Sequence, residues 1–193
     1  MEKQIVVRSL QLEDIPSVAE LLSDAFYAGN IWLGWAAPIL KLGIYQDLKT
    51  RYSSPLPQHS CLVSLQVSAG ELPIVTGTVE VSFRPILSWG TFGQSVPYIS
   101  NLAVAKPFRR QGIGRELLLA CEPIVQRWQK DALYLHVKGE NQAARGLYFS
   151  VGYRQQRDEI PVWARLFGQP QTQLLLRKLV RVPQPASSTQ TND

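Results

Sequence analysis

The sequence predicts an α/β (α+β) fold. Three observations predict it. Segments of two-residue alternation interleave with segments of helical period. Their order runs strand-helix, three strands, then helix-strand-helix-strand. At 193 residues with 45% hydrophobic content, the chain can fill one ordinary core.

Residues 4–8, "QIVVR", read as the first strand. Asp14 then precedes a helical run over 15–26 in which Ile15, Val18, Ala19, Leu22 and Phe26 recur at helical spacing. Residues 27–58 are aromatic and poorly patterned, and no element is predicted there. "CLVSLQVS" and "IVTGTVEVSF" are rich in β-branched residues and read as two strands joined through "AGELP", a hairpin-type connection. The loop "RPILSWGTFGQSVP" leads into a strand, "YISNLAVA". A helix follows over 114–128, with Ile113, Leu117, Cys121, Ile124, Val125 and Trp128 on one face. Pro123 lies inside it and should remove a backbone bond and kink it, at a cost of roughly 3 kcal/mol unless the fold accommodates it. "ALYLHVKG" is a further strand, "NQAARGLYFSVG" a short helix ending at Gly152, and "TQLLLRKLV" a final strand. The domain is expected over 1–182, with 183–193 a polar, disordered tail.

Twenty Lys plus Arg against fifteen Asp plus Glu give a formal charge of +5, which suits an anionic ligand but not a nucleic-acid footprint. No nucleic-acid motif is present. Cys61 and Cys121 lack the spacing of a zinc site or a disulfide scaffold, so no metal is expected and a reducing compartment is. The first fifteen residues have neither signal- nor transit-peptide character, which makes a cytoplasmic location the expectation. The apolar stretch over 31–44 is interrupted by Pro38 and Lys41 and is too short to span a bilayer.

The stretch "NLAVAKPFRRQGIGRELLLACEPI" (101–124) passes from strand to a basic, glycine-rich turn to helix. Unpartnered N–H groups and the positive end of the macrodipole make a helix N-terminus a phosphate site, and glycine lets a ligand approach the backbone. Arg109 and Arg110 add charge suited to a pyrophosphate. A P-loop needs G-x-x-x-x-G-K-[ST], which is absent, and the dinucleotide fingerprint needs glycine where Leu117 stands.

The arrangement Arg109-x-x-Gly112-x-Gly114 between strand and helix resembles the coenzyme A pyrophosphate loop of the GCN5-related N-acetyltransferases. The later segment, with Asn141, Ala144, Leu147, Tyr148, Gly152 and Tyr153, resembles that superfamily's N-x-x-A-x-x-L-Y-x-x-x-G-[FY] signature. Within it, the similarity is nearest to ribosomal-protein and protein N-terminal acetyltransferases and to cyanobacterial and plastid members. The resemblance implies a mixed central sheet of about seven strands, its fourth and fifth strands parallel and splayed, with about four helices. It implies acetyl-CoA as co-substrate, with pantetheine amides pairing to the backbone around Leu102, Ala103 and Val104. The diphosphate would rest on Arg109, Arg110, Gln111, Gly112, Ile113, Gly114 and Arg115, with Asn141, Ala144 and Tyr148 on the next element.

The same resemblance implies that Tyr148 is general acid for the leaving thiolate. His136 stands where related enzymes carry a base, and an imidazole with an ordinary pKa near 6.5 suits removing a proton near pH 7. Tyr98 matches a tyrosine that assists through water. His59 reads as a loop residue and Cys121 as core. A protein α-amine has a pKa of about 7.7–8.0 and lysine about 10.4, so deprotonation at pH 7.5 costs roughly 0.5 against about 4 kcal/mol. The α-amine is therefore the preferred acceptor, with lysine secondary. Trp32, Trp35, Trp163 and Phe167 could line a peptide entry, and Asp158 or Glu159 could meet a cationic amine.

The expected partners are acetyl-CoA and a protein or peptide acceptor, with neither nucleic acid nor membrane, in a monomer or homodimer. The alternatives are a small-amine N-acetyltransferase acting on a polyamine, amino acid or antibiotic, and a non-catalytic acyl-CoA-binding regulatory or assembly module.

Overall fold

Strands β1 (Gln4–Ser9), β2 (His59–Val67), β3 (Ile74–Pro85), β4 (Ser95–Val104), β5 (Ala132–Lys138), β6 (Arg154–Gln155) and β7 (Gln173–Leu179) form one sheet in the order β1-β2-β3-β4-β5-β7-β6. The computed structural model describes residues 3–27, 37–54, 57–85, 95–156 and 173–181. The β4–β5 pair is parallel and every other pair is antiparallel. The helices among the described residues are α1 (Ile15–Tyr27), α2 (Ala37–Ser53), α3 (Ile113–Ala120), α4 (Glu122–Arg127) and α5 (Gln142–Ser150).

Each sheet face has its own core. On one, Val79, Val81, Ile99, Leu133 and Leu135 meet Ile113, Leu117, Cys121 and Val125 of α3 and α4, with Tyr148 of α5. On the other, Ile15, Val18, Leu22 and Leu48 of α1 and α2 pack on Val63, Leu65 and Ala103. The predicted helix over 114–128 divides at Cys121, and Pro123 falls in the first turn of α4, where its missing N–H costs nothing. The break thus accommodates the proline. α3 with α4 counts as one broken helix of the expected four.

Helix α2 lies where the sequence showed no pattern. Ile39 and Leu42 are exposed while Leu48 is buried, so the apolar residues make no single stripe for helical periodicity to reveal. His59, read as a loop residue, instead opens β2 with its side chain nearly buried and Nε2 3.5 Å from Glu80 Oε1. Trp32, Trp35, Asp158, Glu159, Trp163, Phe167 and the tail from residue 183 lie outside the described residues.

One irregularity decides what the sheet can do. In β4, Ser100 pairs with Glu80 and Ala103 with Thr78, so three residue steps oppose two. This bulge places Asn101 at φ 53° and reverses the alternation beyond it. Ile99 and Ala103, four apart, consequently enter opposite cores. The β4–β5 ladder has one registered pair, Tyr98 with Tyr134, after which the strands part.

A buried carboxylate holds the bulge. Glu80, 1% exposed, accepts from Asn101 Nδ2 at 2.7 Å and from Arg51 Nη1 of α2 at 3.1 Å through both oxygens. Burial alone would raise the Glu80 carboxyl. His59, the Arg51 charge and Asn101 together hold it below its ordinary value. A depressed carboxylate contributes stability that is present above its unfolded pKa and is lost as pH falls through the folded one. Glu80→Gln is therefore expected to cost about 2 kcal/mol at pH 7, less than a fully buried pair because Arg51 reaches solvent. Denaturant titrations at pH 7 and pH 4 check this: the deficit should shrink on acidification, and a deficit independent of pH would contradict it.

Candidate active site

Beyond Tyr98 the parting of β4 and β5 leaves β4 without a partner on its β5 side, and a cleft of about 810 Å³ opens there. Leu102, Ala103 and Val104 line it from β4, and Arg109, Arg110, Gly112, Ile113, Gly114 and Arg115 from the loop and first turn of α3. Asn141, Ala144, Leu147 and Tyr148 line it from α5 and its cap. Every residue the sequence proposed for the cofactor therefore faces this cleft except Gln111, whose Nε2 turns away to donate to the Pro107 carbonyl at 3.2 Å.

Local chemistry explains the loop. Arg110 (φ 65°) and Gly112 (φ 85°) both adopt the left-handed conformation around Gln111, a backbone pattern that gathers N–H groups into a concave anion site. Gly112 caps α3, and the N–H groups of Arg115 and Glu116 return to its carbonyl. Those of Ile113 and Gly114 have no intrahelical acceptor. A Cβ at Gly114 would stand 3.0 Å from Leu147 Cδ2, so glycine allows α3 and α5 to close on the same groove. Arg109 Nε donates to the Val104 carbonyl at 3.0 Å, which ties the loop to the end of β4. Asn141 spends its Oδ1 on capping α5, accepting from the Ala144 N–H at 3.0 Å.

These features fit acetyl-CoA. A helix start with N–H groups that lack intrahelical acceptors and three arginines suits a diphosphate, and the edge of β4 at Leu102 and Ala103 that β5 leaves uncovered suits amides. Among the described residues no group of three His, Cys, Asp or Glu could hold a metal ion, and no helix is long and apolar enough to cross a membrane.

At the throat of the splay the three candidate catalytic residues meet differently. Tyr98 Oη lies 3.0 Å from His136 Nδ1 and accepts from the His136 backbone N–H at 3.1 Å. With the phenol donating, Nδ1 is the acceptor and the neutral ring carries its proton on Nε2. The sequence placed these residues separately; the sheet couples them. Tyr148, almost buried, has its phenol pushed up to about 12, first by burial and then by the neighbouring Tyr98. It stays protonated at neutral pH.

Cys121 is fully buried, donates Sγ–H to the Leu117 carbonyl and has its thiol raised to about 12 by burial. Burial raises Cys61 likewise. Neither is a thiolate poised for covalent transfer. Sequence reasoning missed Glu80, Arg51, Arg84 and Arg177 around this site. A carboxylate inside the apolar strand "GTVEVSF" was the one available signal.

A profile of the acetyltransferase (GNAT) family matches residues 17–153. GCN5-related N-acetyltransferase 7, chloroplastic, from Arabidopsis thaliana is 37% identical over 87 residues, 45% of this chain and 31% of the relative. GCN5-related N-acetyltransferase 4, chloroplastic, from the same plant is 28% identical over 182 residues, covering 78% of this chain and 61% of the relative. The chain thus spans less than two thirds of the length of these relatives.

Among solved structures, a PaiA N-acetyltransferase from Thermoplasma acidophilum in complex with coenzyme A superposes with a TM-score of 0.62 at 18% identity, covering 91% of this chain and 99% of that one. A ribosomal-protein-alanine N-acetyltransferase from Brucella melitensis gives 0.60 at 22%, with coverages of 91% and 99%. A spermidine N-acetyltransferase chimera involving Vibrio cholerae gives 0.60 at 16%, with coverages of 91% and 95%. The seven-stranded sheet with its parallel, parted β4 and β5 is the fold these proteins share, and the profile match over most of the chain makes it a member of the GNAT acetyltransferase family.

Proposed function

We propose that this acetyltransferase moves the acetyl group of acetyl-CoA directly to the N-terminal α-amine of a protein or peptide, in a ternary complex. One observation carries the proposal: the Tyr98–His136 hydrogen bond of 3.0 Å at the point where β4 and β5 part.

When bound, acetyl-CoA supplies a thioester; the acceptor N–C bond forms, the C–S bond breaks, and the products are an N-acetyl group and the free thiol. The turn over 109–115 holds the diphosphate, and Leu102 to Val104 orient the pantetheine arm toward the throat. An attacking amine must be neutral and sheds one proton as it acylates. Tyr98 Oη takes that proton, directly or through one water, while passing its own to His136 Nδ1. Tyr148 donates a hydrogen bond to the departing sulfur. Its phenol at about 12 is a weaker acid than a thiol near 8.5, so it stabilises the thiolate while His136, through solvent, returns the proton. Burial keeps Cys61 and Cys121 as thiols, which favours direct transfer over an acyl-cysteine.

The preference for an α-amine follows from energetics, since the dyad must overcome roughly 0.5 kcal/mol of deprotonation there against about 4 for lysine. Solved structures of this fold include enzymes named for protein and for spermidine acceptors, so the fold alone does not choose. Mass spectrometry of two peptide pools, one with free N-termini and no lysine and one with blocked N-termini and internal lysine, tests the choice. Acetylation mainly of the first is expected. Mainly of the second makes this a lysine acetyltransferase; silence in both, with coenzyme A bound, points to a small amine or a non-catalytic role.

His136→Phe and Tyr98→Phe should each lower kcat about 100-fold, the size of one general-base contribution, with coenzyme A affinity unchanged by calorimetry. Because the two act as one unit, the double variant should lose little more than either single one; multiplied losses would separate their roles. Tyr148 remains a donor at every pH below about 12, so its phenol sets no limb of the kcat profile below pH 10. A basic limb in that range that disappears in Tyr148→Phe would contradict its protonated role.

A further inference from the structure

The sheet face that carries Tyr98 and His136 is cationic beyond the needs of the reaction. In register across it run Ser82, Tyr98, Tyr134 and Arg177, one each from β3, β4, β5 and β7. Arg84, two residues past Ser82, lies exposed with its guanidinium 5.3 Å over the Tyr98 ring and Nη2 3.3 Å from Ser100 Oγ. Arg177 lies 5.7 Å over the Tyr134 ring, and its Nε is buried with no hydrogen-bond partner. Lys138, two residues after His136, is exposed.

Strands β3, β4, β5 and β7 hold one carboxylate between them, Glu80, and it is buried and committed to Arg51 and Asn101. Neither Arg84 nor Arg177 has a carboxylate partner among the described residues. Each guanidinium lies over an aromatic ring, so it loses less freedom on meeting a ligand than a free arginine would.

From this placement we infer that the acceptor is an acidic N-terminus, a peptide whose second to fourth residues include Asp or Glu received by Arg84 and Arg177. This rests on the α-amine proposal above. From β3 to β7 is three strand spacings, about 14 Å, and an extended peptide advances roughly 3.3 Å per residue. An amine at the Tyr98–His136 pair therefore puts its first few side chains within the span of both guanidinium groups, and a planar guanidinium receives a carboxylate through two parallel N–H bonds. The same charges repel polyamines and lysine-rich acceptors.

Steady-state kinetics on matched peptides differing only at residues 2 and 3 (Asp or Glu, Ala or Gln, Lys) tests the inference at low and at high salt. Expected is a kcat/KM at least tenfold higher for acidic than for neutral peptides, lower still for lysine, with the gap narrowing as salt screens it. In R84Q and R177Q, checked for folding by thermal melting, the acidic-to-neutral ratio should fall toward one whatever the absolute rate, while R84K and R177K retain part of it. Equal use of acidic and neutral peptides, or preference for basic ones, overturns the inference and leaves the α-amine proposal standing. Silence toward every free N-terminus overturns both.

Discussion

A single extra residue in β4 organises both halves of this molecule. Without the bulge at Asn101, Tyr98 and Ala103 would fall on opposite faces, and β4 would present its second half to the wrong core. With it, the first half of β4 carries Tyr98 to the face that bears His136 while the second half turns Leu102 and Val104 toward the α3 core and the cleft. The β4–β5 ladder has its one registered pair, at Tyr98, just before this distortion. The β5 side of β4, which a regular sheet would consume, is left open to the cleft.

Such a distortion has to be held, because a non-glycine residue at positive φ carries strain. Glu80 does so from the neighbouring strand, and it in turn is held by Arg51 of α2. A carboxylate with 1% exposure is tolerable in this position only because several donors surround it; burial alone would favour its neutral form. Helix α2 is thereby fastened by charge where its irregular apolar pattern fastens it weakly. Placement of α2 and placement of the second half of β4 consequently depend on one ionised side chain between them.

The parts of the site legible in the sequence were those where backbone chemistry restricts the choice of residue. Gly112 needs a left-handed cap, Gly114 needs to admit Leu147, and two arginines beside them imply an anion, so the turn could be recognised at once. The alternation of strands and the stripe along α3 were equally plain, and Pro123 correctly marked a break. What could not be read were features created by register. Tyr98 and His136 lie 38 residues apart, and only the parallel pairing of β4 with β5 makes them one unit. His59 looked like a loop residue because Glu80, its counterpart, lies on another strand. Helix α2 escaped because a helix held by an ion pair need not show a stripe, and Arg84 and Arg177 drew no notice because stacking on a ring leaves no trace in local sequence.

The same fold gives two tyrosines of the site different environments. Tyr98 and Tyr148 are identical side chains, yet one is partly open to solvent and bonded to an imidazole, while the other is almost buried at the wall of the cleft beside Tyr153. Burial removes from Tyr148 any tendency to ionise and keeps it a donor. Contact with Nδ1 gives Tyr98 a neighbour to which a proton can pass. Two side chains of one chemical type thus behave differently because the sheet opens beside one of them and the core packs around the other.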